Sequence, residues 1–171
     1  IDTFRWKGVP FYIRTGKRMG EKGTQINVVF KNVPLNLFSE DVEEELPPNV
    51  LTIFIQPTEG FSLQLNTKKA GIGLETETFD LKHIHSAETV ANSPEAYEKL
   101  LFDCLNGDAT NFTHWDEVAS SWKFVDVIRN EWDQNKTDLT SYPSGSMGPT
   151  ESDDLLAKDG FSWYWNPEIP K

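Results

Sequence analysis

The sequence predicts an α+β protein with a large, mostly antiparallel sheet and helices packed on one face. Strand-like segments occupy the first half of the 171 residues and helix-like segments follow, without the βαβ alternation that a parallel sheet requires. A short aromatic stretch at 161–165 is also strand-like. One domain is expected from the length, which can bury a substantial core.

Four segments account for the predicted sheet. Residues 25–30 are rich in β-formers, and residues 50–55 are nearly all apolar and give the clearest strand. After a turn at 58–60, residues 61–66 alternate apolar and polar side chains, which predicts one buried face and one polar face. These two strands are expected to form an antiparallel hairpin, and residues 74–81 supply a further strand.

Helical spacing begins after this region. Ser93 and Pro94 have the types expected at an N-cap and a first helical position, and Gly107 ends that helix. A second helix is predicted over 114–135, with a possible capping box, and a short third helix follows Pro149. The apolar side chains at helical spacing are interpreted as core: Tyr97, Leu100, Leu101, Cys104, Leu105, Trp115, Val118, Ala119, Trp122, Val125, Ile128 and Trp132. Cys104 is therefore expected to be an inert core thiol.

Charge is distributed unevenly along the chain. Its formal net charge is −11, yet residues 1–31 hold seven Lys and Arg against two Asp and Glu. An acidic chain with one basic island is poorly suited to nucleic acid, whose binding depends on an extended positive field. The island suits a small anion instead. No apolar run approaches the length of about 20 residues that a membrane helix needs, and the single cysteine fits a reducing, cytoplasmic location.

The basic island centres on a turn that follows a predicted hydrophobic strand at 11–13. Glycines at 16 and 20 punctuate this turn, and its cations are Arg14, Lys17, Arg18 and Lys22. Cations on a rigid support lose little entropy when they bind an anion. A solvated basic surface turn is the alternative, and the residue types alone favour it. The charge distribution favours an anion site.

Gln56 is a second candidate for ligand binding, because it stands at the end of the clearest strand, beside Pro57. Its amide offers both a donor and an acceptor, so it can bind a hydroxyl-rich ligand or cap the strand end. Both interpretations remain open at this stage.

Three other motifs predict neither a ligand-binding site nor a catalytic site. The Gly-Ile-Gly at 71–73 lacks the third glycine of a dinucleotide fingerprint, because Thr76 stands in its place. His83 and His85 have no nearby framework of metal ligands and are interpreted as solvent-facing imidazoles. No arrangement of Ser, His and Asp or of Cys and His suggests a nucleophile.

Several blocks of sequence carry a resemblance to a known family. They are WKGVPF at 6–11, RTGK at 14–17, IQPTEG at 55–60, PEAYEKL at 94–100 and SMGP at 146–149. In this order they resemble the C-terminal domain of the glucose-6-phosphate dehydrogenase family over essentially the whole chain.

The resemblance implies NADP-dependent oxidation of glucose 6-phosphate to 6-phosphogluconolactone, the first step of the pentose phosphate pathway. It also implies an N-terminal Rossmann domain for the coenzyme and a homodimer formed through the sheet. Neither the coenzyme fingerprint nor the family's catalytic RIDHYLGK block occurs in these 171 residues. The chain also starts within strand-like sequence, so we expect it to be a piece of a longer polypeptide and to be inactive alone.

By position, the resemblance assigns substrate contacts to Lys17, Lys22 and Gln56. It implies no structural NADP on this domain, because Arg14 is retained but the other corresponding positions are Gly23, Asn27, Phe54, Ser62, Gln64 and Met147. The alternative is a binding or assembly module without oxidoreductase chemistry.

Overall fold

The structure is a computed structural model, and it describes residues 1–33, 36, 46–86, 89, 94–136 and 139–166. The chain divides into two compact units. The first contains Ile1–His85 and Tyr142–Lys171, and the second contains Ser86–Ser141. One sequence prediction, the N-cap at Ser93, falls outside the described residues.

The first unit contains a four-stranded sheet, in which every neighbouring pair of strands is antiparallel. The strands follow one another in space as in sequence: β1 (Thr24–Val29), β2 (Val50–Gln56), β3 (Gly60–Lys68) and β4 (Thr76–Ile84). The predicted hairpin is confirmed as the β2–β3 pair. The β4 backbone comes close to Gly60 at the start of β3, because a Cβ at Gly60 would collide with the carbonyl oxygen of His83.

Three helices complete the described structure, and they confirm the α+β class. The second unit contains α1 (Ala96–Asn106) and α2 (Trp115–Gln134), and the first unit contains α3 (Thr150–Ala157). None of the helices in the described ranges is long and apolar enough to cross a membrane. Packing of α1 and α2 on a face of the sheet stays a prediction.

The ends of α1 show why it begins and ends where it does. Glu95 is the N-cap, and it exchanges side-chain and backbone hydrogen bonds with Glu98 in a capping box. Gly107 ends the helix in the left-handed conformation at φ 69°, which glycine adopts without steric cost. The start of α2 is capped by His114, whose Nδ1 accepts a hydrogen bond from the backbone N–H of Asp116.

The covered face of β3 is opposite to the sequence prediction. Alternate residues of a strand point to opposite faces, and the covered face carries Ser62 of β3 together with Val50, Thr52 and Phe54 of β2. Thr52 and Ser62 are cross-strand partners and are only 2% and 3% exposed. Ile53 and Phe61, the adjacent pair on the other face, are 38% and 45% exposed. Alternation distinguishes two faces but does not say which one the rest of the chain covers.

Hydrogen bonds allow polar side chains to be buried on this covered face, since an unpaired polar group away from water is costly. The hydroxyl of Thr52 donates to Oδ1 of Asn27 at 2.9 Å, and Nδ2 of Asn27 donates to the carbonyl oxygen of Tyr164 at 2.9 Å. The phenol of Tyr164 in turn donates to Oε1 of Gln64 at 2.7 Å. The segment that contains Tyr164 is thereby bound to β1 and β3.

Two predicted strands are absent from the described ladder. Residues 11–13 and 161–165 have no regular secondary structure and do not pair with the sheet. Side chains join them instead: the phenol of Tyr12 donates to the carboxylate of Asp159, and its ring lies 5.9 Å from Phe161, centroid to centroid. The prediction of a buried strand before the basic turn is therefore wrong, because aromatic contacts rather than a ladder fix this segment.

The apolar stripes of α1 and α2 lie on the surface. Trp115, Trp122 and Trp132 are all more than half exposed, and Cys104 is exposed as well. The interpretation of Cys104 as a core thiol is therefore wrong. The buried residue of α1 is its neighbour Asp103, which is 7% exposed and accepts a hydrogen bond from Asn111.

Candidate functional site

The basic loop, residues 14–22, is fixed against the segment 142–148 by backbone hydrogen bonds. The N–H of Gly20 donates to the carbonyl oxygen of Ser146 at 3.0 Å, and the N–H of Gly145 donates to that of Arg18 at 2.8 Å. Arg18 adopts φ 57°, a left-handed conformation that is uncommon outside glycine. The loop is thus held by its main chain, which leaves its long cationic side chains available.

Tyr142 adds a second attachment at Lys17. Its phenol oxygen accepts a hydrogen bond from the backbone N–H of Lys17 at 3.1 Å and donates one to the carbonyl oxygen of the same residue at 2.9 Å. Gly16 makes room for this phenol, because a Cβ there would lie 2.7 Å from its oxygen. A glycine at this position is therefore required by close approach.

Cations of the basic loop differ in how they are engaged. The Arg14 guanidinium lies 4.4 Å from the ring centroid of Trp163, a cation–π contact that fixes it to the chain. Lys17 and Lys22 are exposed, and within the described ranges neither ammonium forms an ion pair or hydrogen bond. These two lysines can therefore bind an external anion without first breaking an internal contact.

Gln56 lies at the end of β2, beside the point where the basic loop enters β1. It pairs with Thr24 across the strands, and its Nε2 donates to the Thr24 hydroxyl at 3.0 Å. The backbone carbonyl oxygen of Gln56 lies 3.4 Å from the position that a Cβ of Gly23 would occupy. The structure thus brings Gln56 next to the residues that directly follow Lys22. Lys17 lies five positions earlier on the same loop.

The only acid of the basic loop is also held in place. Nε1 of Trp165 donates a hydrogen bond of 2.7 Å to Oε2 of Glu21. Trp165 and Tyr142 both contact the loop across more than a hundred positions of sequence. Local patterns do not reveal such partners, so neither residue could be assigned to the basic loop from the sequence.

A tyrosine next to the basic loop has a perturbed acidity. The hydrogen bond from the Tyr12 phenol to the Asp159 carboxylate raises the pKa of Tyr12, because it stabilises the protonated form, and desolvation adds to this effect. Tyr12 is therefore a neutral hydrogen-bond donor at physiological pH. Its role is to connect the chain before the loop to the segment after α3.

His83 lies on β4, and His85 lies one residue beyond the end of that strand. Their ring centroids are 5.7 Å apart, and Nδ1 of His85 is 3.7 Å from a carboxylate oxygen of Glu59. No group of three or more potential metal ligands occurs in the described part of the chain. The pair lines an open apolar hollow with side chains of β2 and β3.

Comparison with solved structures identifies the class of fold. The chain superimposes on a structure described as glucose-6-phosphate dehydrogenase in complex with its substrate glucose-6-phosphate, with a TM-score of 0.69 and 31% identity. That match covers 88% of this chain and 30% of the other. The crystal structure of glucose-6-phosphate 1-dehydrogenase from Mycobacterium avium gives a TM-score of 0.72 at 27% identity, over 98% of this chain and 34% of that one.

Sequence comparison gives the family. Residues 1–164 match the family described as "Glucose-6-phosphate dehydrogenase, C-terminal domain". The glucose-6-phosphate 1-dehydrogenase of Bacillus subtilis is 58% identical over 97% of this chain and 34% of its own length. The enzyme of the same name from Streptococcus pneumoniae is 50% identical over 99% of this chain and 33% of its own length.

The chain belongs to the glucose-6-phosphate dehydrogenase family, and the part that it represents is the C-terminal domain. It spans about a third of the length of the curated relatives it matches. The resemblance inferred from the sequence blocks is confirmed.

Proposed function

We propose that this chain is the substrate-side and dimerisation domain of a glucose-6-phosphate 1-dehydrogenase, which oxidises glucose 6-phosphate to 6-phosphogluconolactone with NADP. The observation that carries the proposal is the placement of Lys17, Lys22 and Gln56 around one rigidly attached loop, with both ammonium groups free of internal contacts within the described ranges. Such a loop suits a sugar phosphate, which presents an anion and hydroxyl groups together.

Each candidate residue has a chemical role in this proposal. The Lys17 and Lys22 ammonium groups neutralise the substrate's phosphate and donate hydrogen bonds to its oxygens. The amide of Gln56 donates to and accepts from sugar hydroxyls. Hydride transfer also needs a nicotinamide and a general base at the C1 hydroxyl. We assign both to an N-terminal coenzyme domain, so the isolated chain is inactive.

NADP as a second, structural ligand does not fit this domain. The side chains of Asn27 and Gln64 are engaged in the hydrogen-bond network of the buried sheet face, and Arg14 is stacked on Trp163. Asn27 and Gln64 carry no charge, and Arg14, the one cation among the positions of that site, is already engaged, so these positions offer no free cation to a 2′-phosphate. The coenzyme of the reaction is bound mainly by the other domain.

Dimerisation uses the apolar face of the sheet in this proposal. The exposed side chains of that face are Ile26, Val28, Ile53, Ile55, Phe61, Phe79 and Leu81. In a chain of net charge −11, two copies meet at this patch without bringing their many carboxylates together. The occupant is therefore a second copy of the same domain, in a cytoplasmic enzyme.

A domain-replacement experiment tests the enzymatic part. This chain is substituted for the matching third of the Bacillus subtilis enzyme, and NADP reduction is followed at increasing glucose 6-phosphate. We expect substrate-dependent reduction by the chimera and none by the isolated chain. A folded, dimeric chimera without activity would support the assembly module instead, and reduction by the isolated chain would also contradict the proposal.

Light scattering tests the dimer surface. Ile53→Lys places a charge in the apolar face and should shift the protein towards monomer. Ile72→Lys is the matched control, because Ile72 is fully exposed on the turn between β3 and β4. Equal self-association of both variants and the parent would exclude this face as the interface.

A further inference from the structure

We infer that Tyr142 is a positioning residue for the substrate lysine Lys17, a role that rests on the proposed function. The phenol is placed to set the main-chain position from which the Lys17 side chain extends. Tyr142 lies 125 positions further along the chain and contacts Lys17 only through the phenol oxygen and the Lys17 backbone in the bonds described. It acts through Lys17 and not on the substrate.

A phenol is chemically suited to this task. One oxygen accepts from the N–H and donates to the C=O of the same residue, so it replaces both hydrogen bonds that a neighbouring strand would supply. Phenylalanine has the same ring and lacks both bonds. The substitution therefore separates hydrogen bonding from packing.

The loop around Lys17 has independent attachments, which confines the effect of losing the phenol. Arg18 and Gly20 are bound to the 145–146 turn through their backbones and keep those bonds in a Tyr142→Phe variant. Neither of those bonds involves the backbone of Lys17. The residue that gains freedom is consequently Lys17, while the loop as a whole stays attached.

Freedom at Lys17 should reduce substrate affinity more than the rate of chemistry. The two lost bonds are neutral and weak compared with a charged contact, so a loosened Lys17 forfeits only part of its contact with substrate. We expect Tyr142→Phe to raise KM for glucose 6-phosphate by about 3- to 10-fold. The kcat and the KM for NADP should change by less than about 2-fold, because the reacting atoms are positioned elsewhere.

Gly16→Ala approaches the same contact from the other side. Its Cβ would lie 2.7 Å from the phenol oxygen and 2.9 Å from Sδ of the flexible Met19 side chain, so the phenol is displaced relative to the Lys17 backbone. This variant should raise KM for glucose 6-phosphate as Tyr142→Phe does, without changing the tyrosine. Unchanged KM in both variants would overturn the inference.

The deciding experiment is a double-mutant cycle in the complete dehydrogenase that carries this domain. If Tyr142 acts through Lys17, Tyr142→Phe should raise KM in the parent and in Lys22→Ala but by less than about 2-fold in Lys17→Ala. An undiminished effect in Lys17→Ala would show that Tyr142 acts on the fold generally, and would overturn the inference alone. No effect of Lys17→Ala on KM would overturn both this inference and the proposed role of Lys17.

Discussion

Replacing either proposed substrate lysine should weaken catalysis strongly without unfolding the protein. Lys17 and Lys22 are exposed and form no ion pair in the described parts of the chain, so neither Lys17→Ala nor Lys22→Ala leaves an internal acid without a partner. The free energy of unfolding should therefore change by less than about 0.5 kcal/mol. The expected loss of catalytic efficiency comes instead from the missing contact between the ammonium group and the substrate.

The size of that loss follows from the charge of the substrate. A phosphate monoester carries a charge of about −2 at neutral pH, and a hydrogen bond to a charged group contributes about 1.5–3 kcal/mol when water is displaced. Removing one ammonium should lower kcat/KM for glucose 6-phosphate by about 10- to 150-fold. A contact that stays fully hydrated is worth only about 0.2–1 kcal/mol, or less than about 6-fold.

Steady-state kinetics of the complete dehydrogenase measures this effect, with NADP varied separately. Lysine-to-arginine variants should recover part of the activity, because the planar guanidinium keeps the charge but not the compact shape of the ammonium. Arg18→Ala is the control on the same loop, since it retains the backbone bond from Gly145 to residue 18. If Arg18→Ala reduced kcat/KM as much as the lysine variants, the loop would act through its general field, and Lys17 and Lys22 would not be direct ligands.

Three further outcomes are expected from individual contacts. Gly60→Ala should cost about 2 kcal/mol or more of stability in chemical denaturation, because the new Cβ collides with a β4 carbonyl. Gly73→Ala should cost less than about 0.5 kcal/mol, because its Cβ would meet only the backbone nitrogen of Glu75, at an ordinary contact distance of 4.0 Å. Tyr164→Phe should cost about 1–3 kcal/mol at pH 7 by leaving a partly buried acceptor without its donor. Burial, with a smaller contribution from a nearby aspartate, raises the pKa of Tyr164, so its neutral form stabilises the fold fully below the unfolded value of 10.0 and this stability is lost as pH rises through the folded value. The difference between parent and variant should therefore shrink at alkaline pH, and a constant difference would contradict this reasoning. Trp165→Phe should raise KM for glucose 6-phosphate by about 2- to 5-fold, because the released Glu21 carboxylate competes for the loop cations, and adding Glu21→Gln should restore it; a persistent rise would mean that the indole acts by packing.

Local pattern predicted the four strands of the sheet and the three helices, but it also predicted two strands that do not form, and it did not show what covers the sheet. The β2–β3 hairpin followed from an apolar run, a turn and an alternating run, all within about twenty residues. Covering of the sheet depends on Tyr164, which lies a hundred positions from its partner Gln64. For that reason the alternation of β3 predicted two different faces, and the wrong one was taken as buried.

In the candidate site, too, the sequence identified residues but not the contacts that arrange them. Resemblance and charge selected Lys17, Lys22 and Gln56, but their arrangement depends on strand register. A shift in pairing between Thr24 and the next residue of β1 sets Thr24 opposite Gln56. Such irregularities have no signature in these residue types. The contact of Tyr142 with Lys17 could not be predicted either, because an isolated tyrosine in a Ser- and Pro-rich loop belongs to no periodic pattern.

The contacts that hold the basic loop also determine when it can form during synthesis. Its partners Tyr142 and Trp165, and the partner of Tyr12, follow it by 125 to 147 positions of sequence. At about 5–20 residues per second, a ribosome needs about 6 to 30 s to make that stretch. The β2–β3 hairpin is complete long before then, since its contacts are local. The lysines proposed to recognise substrate therefore remain on an unattached chain until late in translation, and substrate recognition is among the last properties that the nascent domain acquires.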